Sequence, residues 1–249
     1  MVIYMFTDSH CHIFKEYYED IDKVINDAKD SSINRLIVAA DNYKSCLEVL
    51  ELVNSYDNVY GCLGLHPENC LEDFNYDILR QNSNKIIAIG EIGLDYHYGK
   101  ENKEKQIEVL EKQLEIAQEL NLPIVIHSRD ATEDTINILK KYNVKGVIHS
   151  FSGSLETAKI YLKMGYKLGV NGVVTFKNAK LKDVYKSLSP NDIVLETDSP
   201  YLTPEPYRGR QNSPAHILDI AKFMCDLYNI ELEELSMITN KNIKDIFGI

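Results

Sequence analysis

The sequence has no long hydrophobic run. Its longest apolar stretches, such as residues 36–40, fall far short of the roughly 18 residues that a membrane-spanning helix needs. The residues before Asp8 also lack the basic region and the small-residue cleavage site of a secretory signal. We therefore predict a cytoplasmic protein with no membrane partner.

Cysteine is scarce, and its spacing does not suggest a structural framework. The five cysteines are odd in number and include no C-x-x-C pair. This pattern argues against a disulfide framework and against a thiolate zinc cluster. We predict reduced, mostly buried thiols at Cys11, Cys46, Cys62, Cys70 and Cys225.

Positive charge is also in short supply. The chain has 27 Lys and Arg against 38 Asp and Glu, which gives a formal net charge of −11. Tight nonspecific binding to a long nucleic acid depends on neutralising many phosphates, so this balance disfavours it. A nuclease is not excluded, because bound metal ions can offset acidic ligands and a local cationic site can coexist with an acidic exterior.

What the sequence does contain is a regular alternation of short β-rich runs with longer helical patterns. The runs are nearly continuous in Val, Ile and Leu, as expected for strands covered on both faces. They lie near residues 3–8, 35–40, 59–64, 86–91, 123–127, 146–149, 167–171 and 192–196. No repeat or linker divides the 249 residues. The pattern predicts an α/β fold, a single (β/α)₈ TIM barrel that forms one domain over residues 1–249.

Two helix starts are visible in the sequence. Residues 130–133 read Asp-Ala-Thr-Glu, which predicts a capping box. Ser213 is followed by Pro214, which predicts a cap residue with proline at the first helical position.

A (β/α)₈ barrel carries its chemistry at the C-terminal ends of its strands. Metal-binding side chains follow five of the predicted strands: His10, His12, Glu91, His127, His149 and Asp198. Four imidazoles and two carboxylates suffice for two divalent ions if one carboxylate bridges, and Glu91 is the predicted bridge. Mixed nitrogen and oxygen donors suit Zn²⁺, Mn²⁺, Mg²⁺ or a similar ion without choosing among them.

The first strand carries the His-x-His pair. Side chains two apart share one face of a strand, so Asp8, His10 and His12 point together while Ser9 and Cys11 point away. Alone, the pair also fits two partly buried histidines that hydrogen-bond to neighbours. Asp8 either binds an ion directly or only orients a histidine, and both roles stay open.

Five segments together resemble the TatD family of metal-dependent deoxyribonucleases, within the amidohydrolase superfamily. They are residues 8–12, 90–95, 123–129, 149–153 and 196–200. The resemblance spans almost the whole chain, and five motifs in this order are highly specific. It implies a (β/α)₈ barrel with a one- or two-metal site that hydrolyses DNA phosphodiesters, in several members as a 3′ to 5′ exonuclease. It also implies metal-site roles for His10, His12, Glu91, His127, His149 and Asp198.

One loop departs from the family pattern. Residues 207–214 resemble the family's Arg-Gly-Lys/Arg-Arg-Asn-Glu-Pro loop, but Gln211 stands where an arginine is usual and Ser213 where a glutamate is usual. The first change removes a positive charge near the site. It puts in question the strength or choice of substrate contacts, and it leaves the metal site intact.

Hydrolysis of a phosphodiester requires hydroxide at neutral pH and neutralisation of the negative transition state, and two divalent ions supply both. Glu91 and Asp198 are the predicted catalytic residues, with Asp198 as the general base. We predict substrate contacts at His66, Arg129, Arg208 and Arg210. His66 could instead close a turn, and Arg129 could form a salt bridge. Asp95 is predicted to hold the loop after Glu91, and His97 to be an exposed loop residue.

Three functions fit these residues. The first is a deoxyribonuclease acting on single-stranded or frayed DNA ends, because an open barrel mouth admits a strand end more easily than a duplex. The second keeps the hydrolase site but cleaves another bond, such as the ester of a D-aminoacyl-tRNA or an amide. The third is a binding protein with a vestigial site. No obligate protein partner is predicted.

Overall fold

The computed structural model describes residues 4–249. Eight parallel strands form one sheet whose spatial order is the order of the chain. The strands are β1 (Phe6–Cys11), β2 (Ile33–Ala39), β3 (Val59–Leu63), β4 (Ala88–Asp95), β5 (Ile124–Arg129), β6 (Gly146–Ile148), β7 (Lys167–Val170) and β8 (Ile193–Leu195). The predicted (β/α)₈ barrel is confirmed.

Helices follow the strands and cover the outside of the barrel. They are α1 (Ile21–Asp30), α2 (Tyr43–Ser55), α3 (Asp77–Gln81), α4 (Lys103–Leu120), α5 (Thr132–Leu139), α6 (Leu155–Lys163), α7 (Leu181–Lys186), α8 (Ile217–Tyr228) and α9 (Leu232–Phe247). Short 3₁₀ segments lie at Pro67–Asn69, Gly172–Thr175, Pro190–Asp192 and Pro214–His216. Apolar residues at helical spacing turn one face of each longer helix toward the strands, as Leu110, Leu114 and Ala117 do in α4.

The strand predictions differ from the structure mainly at their ends. The first strand was expected from residue 3, which lies outside the described residues, and it extends to Cys11. The fourth continues four residues past its predicted end, to Asp95. The two extensions consist of the polar residues that follow the apolar runs. Hydropathy does not indicate that strand pairing continues through such residues.

One of the two helix-start predictions is wrong. α5 begins at Thr132 with Ala131 as its cap residue, and no side chain caps it. Asp130 adopts a left-handed backbone, and its carboxylate lies 3.0 Å from the His97 imidazole instead. The prediction at Ser213 is confirmed, because its hydroxyl accepts a hydrogen bond from Ala215 N at the start of the segment Pro214–His216.

The ring of strands closes where β1 meets the segment after β8. Asp198 N donates to His10 O at 3.0 Å, and His12 N donates to Ser199 O at 2.8 Å. At the other end of the barrel, α9 packs against the strands through Ile243, Ile246 and Phe247, which join the inward-facing residues of the strands in one apolar cluster. The open mouth is therefore the end at which the polar strand ends gather.

The five cysteines are free and buried, as predicted. None of the helices within residues 4–249 is long and apolar enough to cross a bilayer.

Candidate metal centre

The six predicted metal-binding residues converge at the mouth of the barrel. Residues 4–249 contain three groups of possible donor atoms, and in each group all the atoms lie within 4.8 Å of one another. The groups are His10, His12 and Glu91; His10, His149 and Asp198; and His66, Glu91 and His127. Each residue lies within a strand or a few residues after one, so the barrel wall fixes their relative positions.

The first donor cluster lies at the seam between β1 and β8. His10 Nε2 is 3.2 Å from His12 Nε2 and 3.2 Å from Glu91 Oε2. Asp198 Oδ1 is 3.5 Å from the Nε2 atoms of both His12 and His149. Ligands about 2.1 Å from a tetrahedrally coordinated ion lie about 3.4 Å from one another. The spacing of these atoms therefore fits a shared divalent ion.

The second donor cluster gathers around the other oxygen of Glu91. Oε1 lies 2.8 Å from His127 Nδ1 and 3.7 Å from each of the Nε2 atoms of His66 and His149. His66 was predicted to contact substrate or to close a turn. Its Nδ1 accepts a hydrogen bond from Glu68 N at the start of the segment Pro67–Asn69, so the ring does close a turn, and it also stands among the possible metal donors. Its position directly after β3 is the signal that could have marked it as a donor.

Three buried groups in the centre have shifted pKa values. Burial opposes ionisation of Glu91, but His149, His10 and His66 outweigh it and hold its pKa well below the usual value. Burial likewise disfavours the His149 imidazolium, but Glu196, Glu91 and Asp198 raise its pKa to about 10. For His66, burial and the neighbouring His127 lower the pKa to about 3. Glu91 therefore stays charged, whereas His149 and His66 differ in charge. These properties suit a centre that releases protons when it binds metal ions.

Asp95 orients His127. Asp95 Oδ2 lies 2.8 Å from His127 Nε2, and Oδ1 accepts a hydrogen bond from His97 N. Burial opposes protonation of His127, but Asp95 and Glu91 raise its pKa to about 9. Asp95 was predicted to hold the loop after Glu91; its carboxylate also fixes a ring on the next strand.

Asp8 supports the centre from behind. Its carboxylate accepts hydrogen bonds from His10 N, Thr197 N and the Thr197 hydroxyl. Complete burial raises its pKa to about 8, although the hydrogen bonds with Thr197 act in the opposite direction. Asp8 belongs to none of the donor groups found in residues 4–249. Of its two open roles, the geometry fits the one in which it orients the seam that carries His10.

Glu196 is a residue whose role the sequence reasoning missed. Its side chain is fully buried, Oε1 accepts a hydrogen bond from Ser150 N, and Oε1 lies 3.1 Å from His149 Nδ1. A Cβ at Gly169 would lie 2.2 Å from Glu196 Oε2, so glycine on β7 leaves the room that this carboxylate occupies. Its place at the end of the eighth predicted strand, where a barrel carries its chemistry, is the signal that could have revealed it.

The arginines predicted to bind substrate are spread more widely. Arg129 lies in the wall of the cavity above the donors, which has a volume of about 210 Å³. Its guanidinium is 5.5 Å from the centre of the exposed Tyr98 ring. Arg208 is stacked over Phe176 at 4.3 Å, and neither Arg208 nor the exposed Arg210 forms part of that cavity's wall.

Two tyrosines stand on the opposite rim of this cavity. The hydroxyls of Tyr17 and Tyr201 are 3.0 Å apart, and their ring centres are 5.8 Å apart. Gln211, which replaces the arginine usual in the resembling family, donates from Nε2 to Tyr17 O at 2.6 Å. The substituted side chain thus ties the 207–214 loop to the rim.

Comparison with known proteins gives a consistent assignment. The sequence profile of the family described as TatD related DNase matches residues 7–248. The chain is 39% identical to YabD of Bacillus subtilis, named an uncharacterized metal-dependent hydrolase, over 98% of this chain and 100% of that protein. It is 36% identical to YcfH of Escherichia coli K12, which bears the same description, over 97% of this chain and 95% of that protein.

Solved structures agree with the sequence comparison. The crystal structure of YjjV, a TatD homologue from Escherichia coli K12, superposes with a TM-score of 0.94 at 30% identity and covers 100% of both chains. Barrel and donor set together place this chain in the class of metal-dependent hydrolases. Within that class, the chain belongs to the TatD-related DNase family.

Proposed function

We propose that this protein hydrolyses DNA phosphodiester bonds with two divalent metal ions, as a 3′ to 5′ exonuclease on single-stranded or frayed ends. One observation carries the proposal. The two oxygens of Glu91 face different sets of histidines, with Oε2 3.2 Å from His10 Nε2 and Oε1 2.8 Å from His127 Nδ1. A carboxylate in that position would serve two ions at once, an arrangement suited to an in-line displacement at phosphorus.

The proposed metal positions follow from the donor clusters. His10, His12 and Asp198 would hold an ion at the β1–β8 seam, His66 and His127 would hold a second ion, and Glu91 would serve both. His149 faces both carboxylates, with its Nε2 3.5 Å from Asp198 Oδ1 and 3.7 Å from Glu91 Oε1. Zn²⁺ and Mn²⁺ both suit this mixture of imidazole and carboxylate donors.

The protein's own residues position the reactants. When bound, the two ions lower the pKa of an attacking water to about 7 and neutralise the developing charge on the phosphate. In this function Asp198 would accept a hydrogen bond from the attacking water at a carboxylate oxygen and take its proton. Burial works against ionisation of Asp198, but His149 and His12 lower its pKa, so the carboxylate is charged at neutral pH. Arg129, on the cavity rim, binds the substrate phosphate.

The surroundings of the metal centre favour the end of a single DNA strand as substrate. The cavity above the donors is small, about 210 Å³, and Tyr17 and Tyr201 on its rim offer aromatic faces for unpaired bases. A net charge of −11 leaves little attraction for the backbone of a long duplex. We also propose a cytoplasmic location, which the reduced and buried cysteines support.

A nuclease assay tests this function. Protein loaded with Zn²⁺ or Mn²⁺ should shorten a 5′-labelled single-stranded oligonucleotide one nucleotide at a time, and a chelator should stop it. Asp198→Asn should lower the rate by about 10²- to 10⁴-fold, because the proton acceptor is lost. Asp226→Asn, an exposed aspartate on α8, is the matched control and should retain full activity.

The same assay separates the alternatives. Survival of the oligonucleotide together with deacylation of a D-aminoacyl-tRNA would replace the nuclease with the second hydrolase function. Failure to bind metal, with Glu91→Ala leaving every measured property unchanged, would favour a non-catalytic binding protein.

A further inference from the structure

A second and larger cavity, the β5–β6 groove, opens beside the candidate metal centre between the ends of β5 and β6. Its volume is about 420 Å³, against about 210 Å³ for the metal cavity. Ser128 and Ile148 line the groove, whereas their neighbours His127 and His149 line the metal cavity. Arg129 lines both. The groove and the metal cavity therefore adjoin, and one guanidinium belongs to both.

The groove offers a ligand a polar surface. Its exposed side chains are those of His97, Arg129, Asp130, Thr132 and Ser152. Its apolar side chains are buried, with Ile148 2% and Phe151 5% exposed. Unpaired bases bind by stacking on exposed aromatic rings. Because the exposed surface here consists mainly of hydroxyls and charged groups, it suits the sugar–phosphate chain of a strand better than its bases.

Arg129 is placed to bind phosphate. Its guanidinium lies over the exposed Tyr98 ring, 5.5 Å from the ring centre, while the neighbouring Asp130 carboxylate lies 3.0 Å from His97 Nδ1. A guanidinium over an aromatic face keeps its N–H donors at its edge, where two of them match two phosphate oxygens. Since Arg129 borders both cavities, it can contact phosphates that occupy adjacent positions of one strand.

We propose that the β5–β6 groove binds the phosphate next to the scissile one, on its 5′ side, together with the sugar that joins the two. This inference rests on the proposed function, which places the 3′-terminal nucleotide and the scissile phosphate at the metal centre. Arg129 binds both phosphates, and Thr132 and Ser152 supply hydroxyls along the path of the chain. The bases of this part of the strand face solvent, so the groove recognises a DNA chain without reading its sequence.

Asp130 weakens this contact. Its carboxylate lines the groove and repels a phosphate there, although it lies 3.0 Å from His97 Nδ1. A free phosphate ion would therefore bind weakly. A strand that is already held at the metal centre brings its next phosphate to Arg129 at a high effective concentration. The groove thus favours an oligonucleotide over a small anion.

Removing one charge from the substrate tests the groove. A single-stranded oligothymidylate with a methylphosphonate at the second linkage from its 3′ end lacks the charge that Arg129 should bind beyond the scissile linkage. The kcat/KM of its first cleavage should fall by about three- to tenfold relative to the unmodified strand, the effect of one charge-assisted contact at an exposed arginine. The same group at the fourth linkage is the matched control and should change kcat/KM by less than twofold.

Removing one negative charge from the groove should have the opposite effect. Asp130→Asn introduces a residue that tolerates the left-handed backbone at this position, and it should raise kcat/KM for the unmodified strand by about two- to fivefold. The strand with a methylphosphonate at the second linkage should not gain, because it carries no charge there. Glu133→Gln, at an exposed carboxylate of α5 outside the groove wall, is the matched control and should leave both values unchanged.

A bulky side chain in the groove gives a readout that does not need turnover. Ser152→Trp should block the groove, so fluorescence anisotropy with labelled strands should no longer distinguish the unmodified strand from the one modified at the second linkage. Ser55→Trp adds the same ring at an exposed position at the end of α2, outside both cavity walls, and should preserve the difference.

The outcomes distinguish the groove from the nuclease function. If the strands are cleaved and the methylphosphonate acts alike at the second and fourth linkages, the role of the groove is overturned while the nuclease function stands. If no strand is cleaved, but the unmodified strand binds more tightly than the one modified at the second linkage and Ser152→Trp removes that difference, the nuclease function fails and the role of the groove is upheld. Absence of cleavage together with equal binding of all strands would overturn both.

Discussion

Glu91 is the side chain on which the candidate metal centre depends. It is almost fully buried, and its two oxygens face donors from β1, β3, β5 and β6. Because His149, His10 and His66 hold its pKa well below the usual value, it remains a carboxylate at all physiological pH values. A neutral amide of the same shape would fill its place but would bridge two cations poorly.

We expect Glu91→Gln to lose about one of the two proposed metal ions per chain, because the bridging charge disappears. Elemental analysis after dialysis against Zn²⁺ measures the change directly. Glu68→Gln is the matched control, since Glu68 lies in the wall of the same cavity but in none of the donor groups within residues 4–249. Retention of two ions by Glu91→Gln would refute the bridging role.

The raised pKa values of two histidines predict that the metal-free centre releases protons when it binds metal ions. Burial favours the neutral ring of both His127 and His149. Asp95 and Glu91 nevertheless raise the pKa of His127 to about 9. Glu196, Glu91 and Asp198 raise the pKa of His149 to about 10. Both rings are protonated at neutral pH, and a metal ion must displace those protons. Loading at about pH 7.5 should therefore release about two protons, and apparent affinity should rise with pH until about pH 9–10.

Calorimetry in buffers of different ionisation enthalpy counts the released protons. The stability that these raised pKa values give the metal-free protein is complete below the ordinary histidine pKa of 6.5 and is lost as the pH rises through about 9 and then about 10. Affinity that does not change between pH 6 and pH 9 would contradict this account.

At the scale of elements, the seam between β1 and β8 determines where three metal donors stand. Two backbone hydrogen bonds join His10 to Asp198 and His12 to Ser199. The Asp8 carboxylate reinforces the seam by accepting hydrogen bonds from the Thr197 backbone and hydroxyl. A displacement at this seam would move donors of both strands relative to Glu91.

Thr197→Val should destabilise this seam. It removes a hydroxyl that donates to the fully buried Asp8, so the free energy of unfolding should fall by about 1–3 kcal/mol. For a chain of this size the melting temperature should fall by about 2–4 °C for each kcal/mol. Thermal denaturation measures the loss, and Thr132→Val, at an exposed threonine, should change it little. Equal melting temperatures for the two variants would show that the hydroxyl is dispensable.

The loop after β8 is a second element whose conformation bears on the site. Asn212 N donates to Pro200 O, its side-chain amide donates to Thr197 O, and its carbonyl accepts from the Tyr18 hydroxyl. With Gln211 bound to Tyr17 O, these contacts hold the loop against the cavity rim. The family's usual arginine is thus replaced by a residue that positions the rim and carries no charge.

At the scale of the whole molecule, an acidic exterior surrounds a centre with few cations. Arg129 is the one arginine or lysine in the metal cavity wall among residues 4–249. The proposed function therefore uses few phosphate contacts, and substrate binding should depend only weakly on salt. With one or two contacts to a single strand, the slope of log affinity against log salt should be about −1.

Measuring KM for a single-stranded oligonucleotide between 50 and 200 mM KCl tests this slope. Arg129→Gln should flatten it, whereas Arg208→Gln should not, because Arg208 is stacked on Phe176 outside that wall. A slope near −5 would instead indicate an extended basic track for the DNA backbone.

The sequence by itself determined the architecture and most of the donor set. Eight apolar runs separated by amphipathic segments specify parallel strands covered on both faces, since burying those faces is the dominant favourable term in folding. Because a (β/α)₈ barrel brings strand ends together, polar residues after the runs predicted that His10, His12, Glu91, His127, His149 and Asp198 would meet. The single-domain organisation stays a prediction.

Only the tertiary structure decided how these side chains share their contacts. The Glu196 carboxylate lies beside His149 in space that only a glycine on β7 leaves open. His66 lies among the metal donors. Both positions depend on side-chain packing between strands. Asp130 faces His97 and leaves α5 uncapped, although its local sequence favours a capping box. Local sequence carries periodicity and backbone preference, whereas distances across the barrel mouth arise from residues far apart in the chain. The partner of each polar group is therefore set by the closed barrel.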